Sequence, residues 1–212
     1  MSLPTVWAVE PNAAEPIIES YGYLTDIIPG YREGMEQRVQ LRRHPTGSIE
    51  FAFLSTDLWE AQRTAVLLQR RRAQPWIVPL WQYRARPTAD IAPGATEIAI
   101  VTASIPFTDP LGLGPYAVLW RDSRYFEVVA LNAIYPSRLE LASPVVGTWP
   151  ASSVEVLPAR VGRLYRNPST PWLTRSVPTG RVRFDFECWS DDNIVPVLTD
   201  DYAVLGGQVQ PV

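Results

Sequence analysis

Two segments of the chain, Ser48-Ile49-Glu50-Phe51-Ala52-Phe53 and Val182-Arg183-Phe184-Asp185-Phe186-Glu187, carry a large apolar residue at every second position. Successive side chains of a strand point to opposite faces. Strict alternation therefore predicts half-buried antiparallel strands, with one face in a core and the other in water. The two segments lie more than a hundred residues apart, and the residues between them have their own turns and short strands. The pattern predicts a mainly β protein: a split β-sandwich with one flanking helix and an inserted small β-barrel-like module. Its core is read as Val39, Leu41, Ile49, Phe51, Phe53, Val182, Phe184 and Phe186.

Elsewhere the pattern sets the boundaries. Residues 1–34 show no clean period, and Pro4, Pro11, Pro16 and Pro29 cut them into extended pieces, so they read as an N-terminal arm. Val39 and Leu41 alternate with Arg38, Gln40 and Arg42, and Pro45-Thr46-Gly47 predicts a hairpin from that strand into the Ile49/Phe51/Phe53 strand. Asp57 followed by Glu60 marks a capped helix start. Leu58, Ala61, Ala65 and Leu68 form its apolar stripe, Arg70, Arg71 and Arg72 its solvated last turn, and Pro75 its end, which predicts a helix over 57–72. Trp76–Trp81 is an apolar run of strand length, with Pro79 suited to an edge or bulge.

Five short strands follow, at 96–102, 116–121, 124–131, 138–142 and 153–157, with Asp122-Ser123 as a hairpin turn. These predict the inserted module over 84–161, leaving 35–83 and 162–188 as the sandwich. Residues 189–212 have no persistent period and read as a C-terminal arm containing Asp191, Asp192, Asp200 and Asp201.

Composition narrows the function classes. At 212 residues and 46% hydrophobic content the chain is globular in class, and no apolar run reaches bilayer length. Neither a signal peptide nor a membrane anchor is expected. All nineteen basic residues are Arg. Genomic base composition explains that, and so does selection for protein contacts, where the guanidinium fork pairs with carboxylates and stacks on aromatics. The lack of Lys excludes Schiff-base and P-loop lysine chemistry. A net charge of −3 argues against specific nucleic-acid binding. The single cysteine, Cys188, continues the Phe184/Phe186 face and reads as a buried thiol. Twenty-one prolines suit extended arms, and eight tryptophans exceed what one modest core absorbs.

Catalytic patterns are weak. His44, the one histidine, sits at a turn. The Asp191/Asp192 and Asp200/Asp201 pairs lack a calcium-loop pattern, and Gly112-Leu113-Gly114 is too short for a phosphate cradle. Glu50 and Asp185 face solvent by the alternation rule. No catalytic, metal or cofactor residue is predicted, and the chain is not read as an enzyme.

Thr25-Asp26-Ile27-Ile28, Glu36-Gln37-Arg38-Val39-Gln40-Leu41-Arg42, the Phe51/Phe53 strand, Glu60-Ala61-Gln62-Arg63, Trp76–Trp81 and Trp149-Pro150-Ala151 resemble tail-tip proteins of long-tailed bacteriophages. The resemblance covers roughly residues 20–187 and rests on packing and turn residues. It implies a distal-tail or baseplate-hub protein: a β-sandwich with a flanking helix that assembles into a ring continuing the tail tube. Its location would be the virion tail tip, after synthesis in the host cytoplasm. The partners expected are further copies of itself, as a cyclic hexamer first and a trimer second, together with tail-tube, hub and other tail-tip proteins. The chain departs from that pattern in lacking a large carbohydrate-binding domain and the cysteine set of an iron–sulfur tail-tip protein.

Candidate interface residues are Trp7, Tyr21, Tyr23 and Ile27 in the N-terminal arm and Trp189, Ile194, Val197 and Tyr202 in the C-terminal one. Left unpacked, these would expose more apolar surface than a monomer normally carries. The outward arginines of the strands would pair with the arm's aspartates. The competing readings are a carbohydrate- or receptor-binding module and a cell-wall hydrolase.

Overall fold

The computed structural model describes residues 5–22, 25–29, 36–40, 46–55, 57–71, 74–100, 116–165, 172–174, 177–186, 197–198, 202–205 and 208–211. For 25–29, 36–40, 46, 172–174, 177–178 and all positions from 197 onward the description is of backbone alone. In chain order the elements are β1 (Thr5–Val6), β2 (Ile18–Gly22), β3 (Thr25–Pro29), β4 (Glu36–Gln40), β5 (Thr46–Leu54), α1 (Leu58–Arg70), β6 (Trp76–Pro79) and a 3-10 turn (Trp81–Tyr83). They continue with β7 (Glu97–Ala99), β8 (Tyr116–Trp120), β9 (Phe126–Ile134), β10 (Arg138–Leu141), β11 (Glu155–Leu164), β12 (Trp172–Thr174), β13 (Val177–Phe186), β14 (Val197–Leu198), β15 (Tyr202–Leu205) and β16 (Gln208–Pro211). The protein is mainly β, with one α-helix among the described residues.

An open antiparallel sheet in the order β9-β8-β11-β13-β5-β2 is the spine. The two phenylalanine strands are direct neighbours in it: β13 lies against β5 with Val182 opposite Phe51 and Phe184 opposite Ile49. The period of two then places Ile49, Phe51, Phe53, Val182, Phe184 and Phe186 on the buried side, all within one continuous hydrophobic core. Arg183 and Glu50 are paired across the other face.

Three expectations need correction. The first concerns the hairpin. β4 pairs with β3, not with β5, whose two edges are already occupied by β2 and β13. Val39 lies on β4, where only backbone is described, and Leu41 lies outside the described residues.

The second concerns the N-terminal arm. β1 runs parallel to β6, Trp7 N donates to Ile77 O at 2.9 Å, and Val6, Trp7, Ala8 and Val9 are buried. Trp7 is a core residue and not an interface one. Its indole packs edge-on against Phe51, Phe53, Trp76 and Phe184, with centroids 5.4–6.4 Å away.

The third concerns the inserted module. β11 pairs in succession with β8, β6 and β13, so the expected boundary at 161/162 falls inside one continuous strand. Ile98, Val118, Leu119 and Leu139 share the core of the phenylalanine strands. Residues 84–161 therefore extend the main sheet. The C-terminal stretch also has secondary structure: β14 runs beside β9 with Val197 opposite Ile134, and β15 and β16 follow antiparallel.

The helix forms because its first turn is capped and one face is apolar. The Asp57 side chain accepts from Trp59 N–H at 3.1 Å. The Glu60 carboxylate takes the Ser55 hydroxyl at 2.6 Å. Ala61, Thr64 and Leu68 are buried, whereas Leu58, at the rim of that stripe, is exposed. After β6, Pro79 leaves the chain free to enter the 3-10 turn, and Leu80 N donates to Pro158 O at 2.8 Å.

Between β10 and β11 the Glu127 carboxylate accepts from Val146 N–H (2.6 Å), Gly147 N–H (2.9 Å) and the Trp149 indole (2.9 Å). A Cβ at Gly147 would come 2.8 Å from that indole nitrogen, which is why a glycine occupies the position.

Tyr83 joins the 3-10 turn to β2 through a 2.8 Å bond from its hydroxyl to Glu19. Burial first, and then the Glu19 carboxylate that accepts its proton, push its phenol from the ordinary 10.0 up to about 12. A raised value in the folded state favours the neutral phenol. The stabilisation is therefore present below pH 10 and lost as pH climbs through about 12. In an alkaline titration followed by tyrosinate absorbance, Tyr83→Phe should remove a late-ionising phenol. A loss of amplitude from the main transition near 10 instead would show that Tyr83 ionises with the others.

Candidate interaction surface

Among the described residues, exposed aromatic and arginine side chains gather where α1 begins and the β8–β9 turn comes up beside it. The turn is self-ordered: Asp122 Oδ1 accepts from the backbone N–H groups of Arg124 (2.8 Å) and Tyr125 (3.0 Å). This aims Arg124 at the helix, where its guanidinium donates to Asp57 Oδ2 at 2.5 Å. That bond, with the Trp59 N–H as a second donor, holds the Asp57 carboxyl below its usual range. Arg63 Nη1 donates to Ser123 O at 3.0 Å and locks helix to turn. Burial pushes the Arg63 pKa down, and the nearby Glu60 charge opposes that shift.

Guanidinium groups lie against the aromatic rings throughout. Arg124 is 4.9 Å and Arg63 5.4 Å from the Trp59 ring centre, Arg63 is also 5.3 Å from Phe126, and Arg121 is 4.2 Å from Tyr125. Trp59, Val66 and Tyr125 remain 42%, 45% and 56% exposed. Along α1, Trp59, Arg63, Val66 and Arg70 sit at i, i+4, i+7 and i+11, one stripe opposite the buried Ala61/Leu68 face. Tryptophan, tyrosine and arginine, pre-ordered on rigid elements, are the residue types that dominate protein–protein contact energies.

Of the residues selected from sequence as an interface, the side chains of Trp7 and Tyr21 are described: Trp7 is buried in the core and Tyr21 reaches the surface. Tyr21 is exposed on β2, beside an open cavity of about 390 Å³. Beneath it the buried Arg160 has its guanidinium 5.8 Å from the Tyr21 ring and 5.3 Å from Phe186, and its Nη1 is 3.4 Å from the Tyr21 hydroxyl. Tyr23, Trp189 and Ile194 lie outside the described residues. Ile27, Val197 and Tyr202 lie on β3, β14 and β15, where backbone alone is described.

The outward arginines of β13 are engaged within the chain: Arg181 with Glu15 (2.6 Å) and Glu50 (3.4 Å), Arg183 with Asp185 (3.0 Å). Glu50 and Asp185, the carboxylates a hydrolase would use, are thereby each held by an arginine. His44 and Cys188 fall outside the described residues. Among the described residues no group of three metal-ligating side chains converges, and no helix is long and apolar enough to cross a membrane.

The apolar periodicity of the helix marks the Ala61/Leu68 face and does not point to the Trp59/Arg63/Val66/Arg70 stripe opposite it. Its signal is a tryptophan and a valine at helical spacing on the solvent side. No protein-family model matches the chain, and no curated protein is significantly similar to it.

Proposed function

We propose that this chain is a structural component of a phage tail tip, self-assembling into a ring that joins the tail tube to the distal hub or fibres. The observation that carries the reading is the exposed Trp59/Arg63/Tyr125/Arg124 surface, fixed on a helix and a hairpin turn by Asp57, Asp122 and Ser123. Such a surface works by contact and not by bond-making chemistry. The resemblance of the strand, helix and Trp76–Trp81 segments to tail-tip proteins supplies the assembly in which it would act. Sixfold symmetry matches a ring that continues a tube, and threefold is the second choice; in either, closed symmetry gives every copy the same contacts.

A carbohydrate- or receptor-binding module is the rival reading, favoured by exposed Trp59 and Tyr125. Sugar rings stack on free aromatic faces, and here guanidinium groups already lie against both rings. Negative-stain microscopy of the purified full chain, with glycan-array binding in parallel, separates the two. Rings without glycan binding support the tail-tip reading; glycan binding by a monomer overturns it.

A further inference from the structure

We propose that the Trp59/Arg63/Val66/Arg70 stripe of α1 docks an acidic segment with apolar side chains, contributed by a different protein. The inference rests on the reading above, in which this surface works by contact, and names the chemistry of what it contacts. After Glu60 in its first turn, α1 carries no carboxylate. Arg63 and Arg70 stand on the outward stripe and Arg71 at the helix end, and none of the three is paired with a carboxylate. Arg63 donates to the Ser123 carbonyl, Arg71 to the Gln74 side-chain oxygen, and Arg70 to nothing among the described residues. Glu60, the nearest acid, is taken by the Ser55 hydroxyl. Trp59 and Val66 stand exposed between these cations. The stripe therefore presents unmatched positive charge around an apolar strip, and its complement is a run of carboxylates with apolar side chains among them.

The described surface of this chain has no carboxylate to spare for that role. Every carboxylate whose side chain is described already has a partner within the chain, an arginine, a hydroxyl, an amide or a backbone N–H. Using one of these on the stripe would first break such a pair, whereas a segment of another protein brings its charges unspent. Nucleic acid fits poorly. Bases stack on open aromatic faces, and guanidinium groups already lie against Trp59 and Tyr125. The chain's net charge of −3 also repels a long polyanion. A membrane surface takes up the broad apolar face of a helix, and in α1 the Ala61/Leu68 face is turned into the core.

The test is fluorescence anisotropy of the full chain with a labelled peptide of about twelve residues, glutamate throughout with leucine at every fourth position. That length covers the rise of about 17 Å from Trp59 to Arg70. Its lysine–leucine counterpart, a short single-stranded DNA and a peptide of residues 187–196 of this chain run in parallel. The acidic peptide should bind, with an affinity that falls as salt is raised. Trp59→Ala should weaken it about tenfold and Arg70→Glu about threefold or more. Arg70 is exposed and outside the core, so Arg70→Glu keeps its fold, which circular dichroism verifies. No binding of the acidic peptide, equal binding by both variants, or tighter binding of the lysine peptide or the DNA would overturn the inference. Tighter binding of the 187–196 peptide would overturn it in favour of a second copy as the occupant. Rings seen by microscopy without any peptide binding would sink this docking and leave the ring reading intact. Peptide binding by a chain that never forms rings would do the reverse.

Discussion

Trp7→Ala should destabilise the protein by about 3–5 kcal/mol, the range for emptying a large aromatic site in a packed core. The residue is 2% exposed and touches both phenylalanine strands at once, with Phe51 and Phe53 on β5, Phe184 on β13 and Trp76 on β6 around it. Its edge-on contacts add to the loss of buried area, since such aromatic pairs contribute about 0.5–1.5 kcal/mol each beyond burial. β1 is held by its parallel register with β6 and by the Trp7 N–H bond to Ile77, and the residues after it are joined to β5 by the Pro11–Phe53 bridge and the Asn12 N–H bond to Ala52 O, so the indole supplies the side-chain part of this attachment. Trp7→Phe should cost less than half as much. It keeps most of the ring, and it removes an indole N–H that has no acceptor among the described residues. Urea unfolding of the two variants gives the comparison. A loss below about 1 kcal/mol for Trp7→Ala would show that the N-terminal segment is not part of the folding unit.

How far the chain could be read from its pattern follows from where each contact partner lies. β5 and β13 are legible because a half-buried strand writes its period of two into its own residues, whatever its neighbour. α1 is legible because Asp57 and the Ala61/Leu68 spacing are local. β1 is not: two residues carry no period, and the partner strand, β6, lies some seventy positions on. The expected β4–β5 hairpin failed for a related reason, since alternation identifies a strand without identifying its partner, and a turn-like Pro45-Thr46-Gly47 pointed to β5 where the partner is β3.

The strand expected over 153–157 is longer than its pattern shows, for Pro158, which donates no hydrogen bond to a ladder, follows it directly. In the sheet that residue still pairs with Ala117, and its carbonyl accepts from Leu80 N–H, so the strand continues to Leu164. The interaction surface was half legible. Arginine abundance pointed to contacts, but the residues that gather Trp59, Arg63, Arg124 and Tyr125 come from a helix and a turn sixty positions apart.

Excising residues 84–154 and joining Tyr83 directly to Glu155 should leave a chain that does not fold, although the sequence reading treats nearly this span as a removable module. β11 is the reason. Its first half is held by β8 and its second half by β6 and β13, so the deletion removes the partner of the first half of a strand on which the remaining sheet depends. The loss also uncovers Trp81, Val156 and Leu157, which are buried in a core shared with Val118, Leu119, Ile98 and Leu139. Burial of a large apolar side chain is worth about 1.5–3 kcal/mol, so exposing three of them, with the strand partners of β11 gone as well, is comparable to the roughly 5–15 kcal/mol that holds a typical domain folded. The expected result is a deletion variant without a cooperative thermal transition, with weak far-ultraviolet circular dichroism and a strong tendency to aggregate. A soluble variant that melts cooperatively would instead mean that β5, β13 and β6 close a core by themselves, with Trp7, Phe51, Phe53, Trp76 and Phe184 sufficient to sustain it.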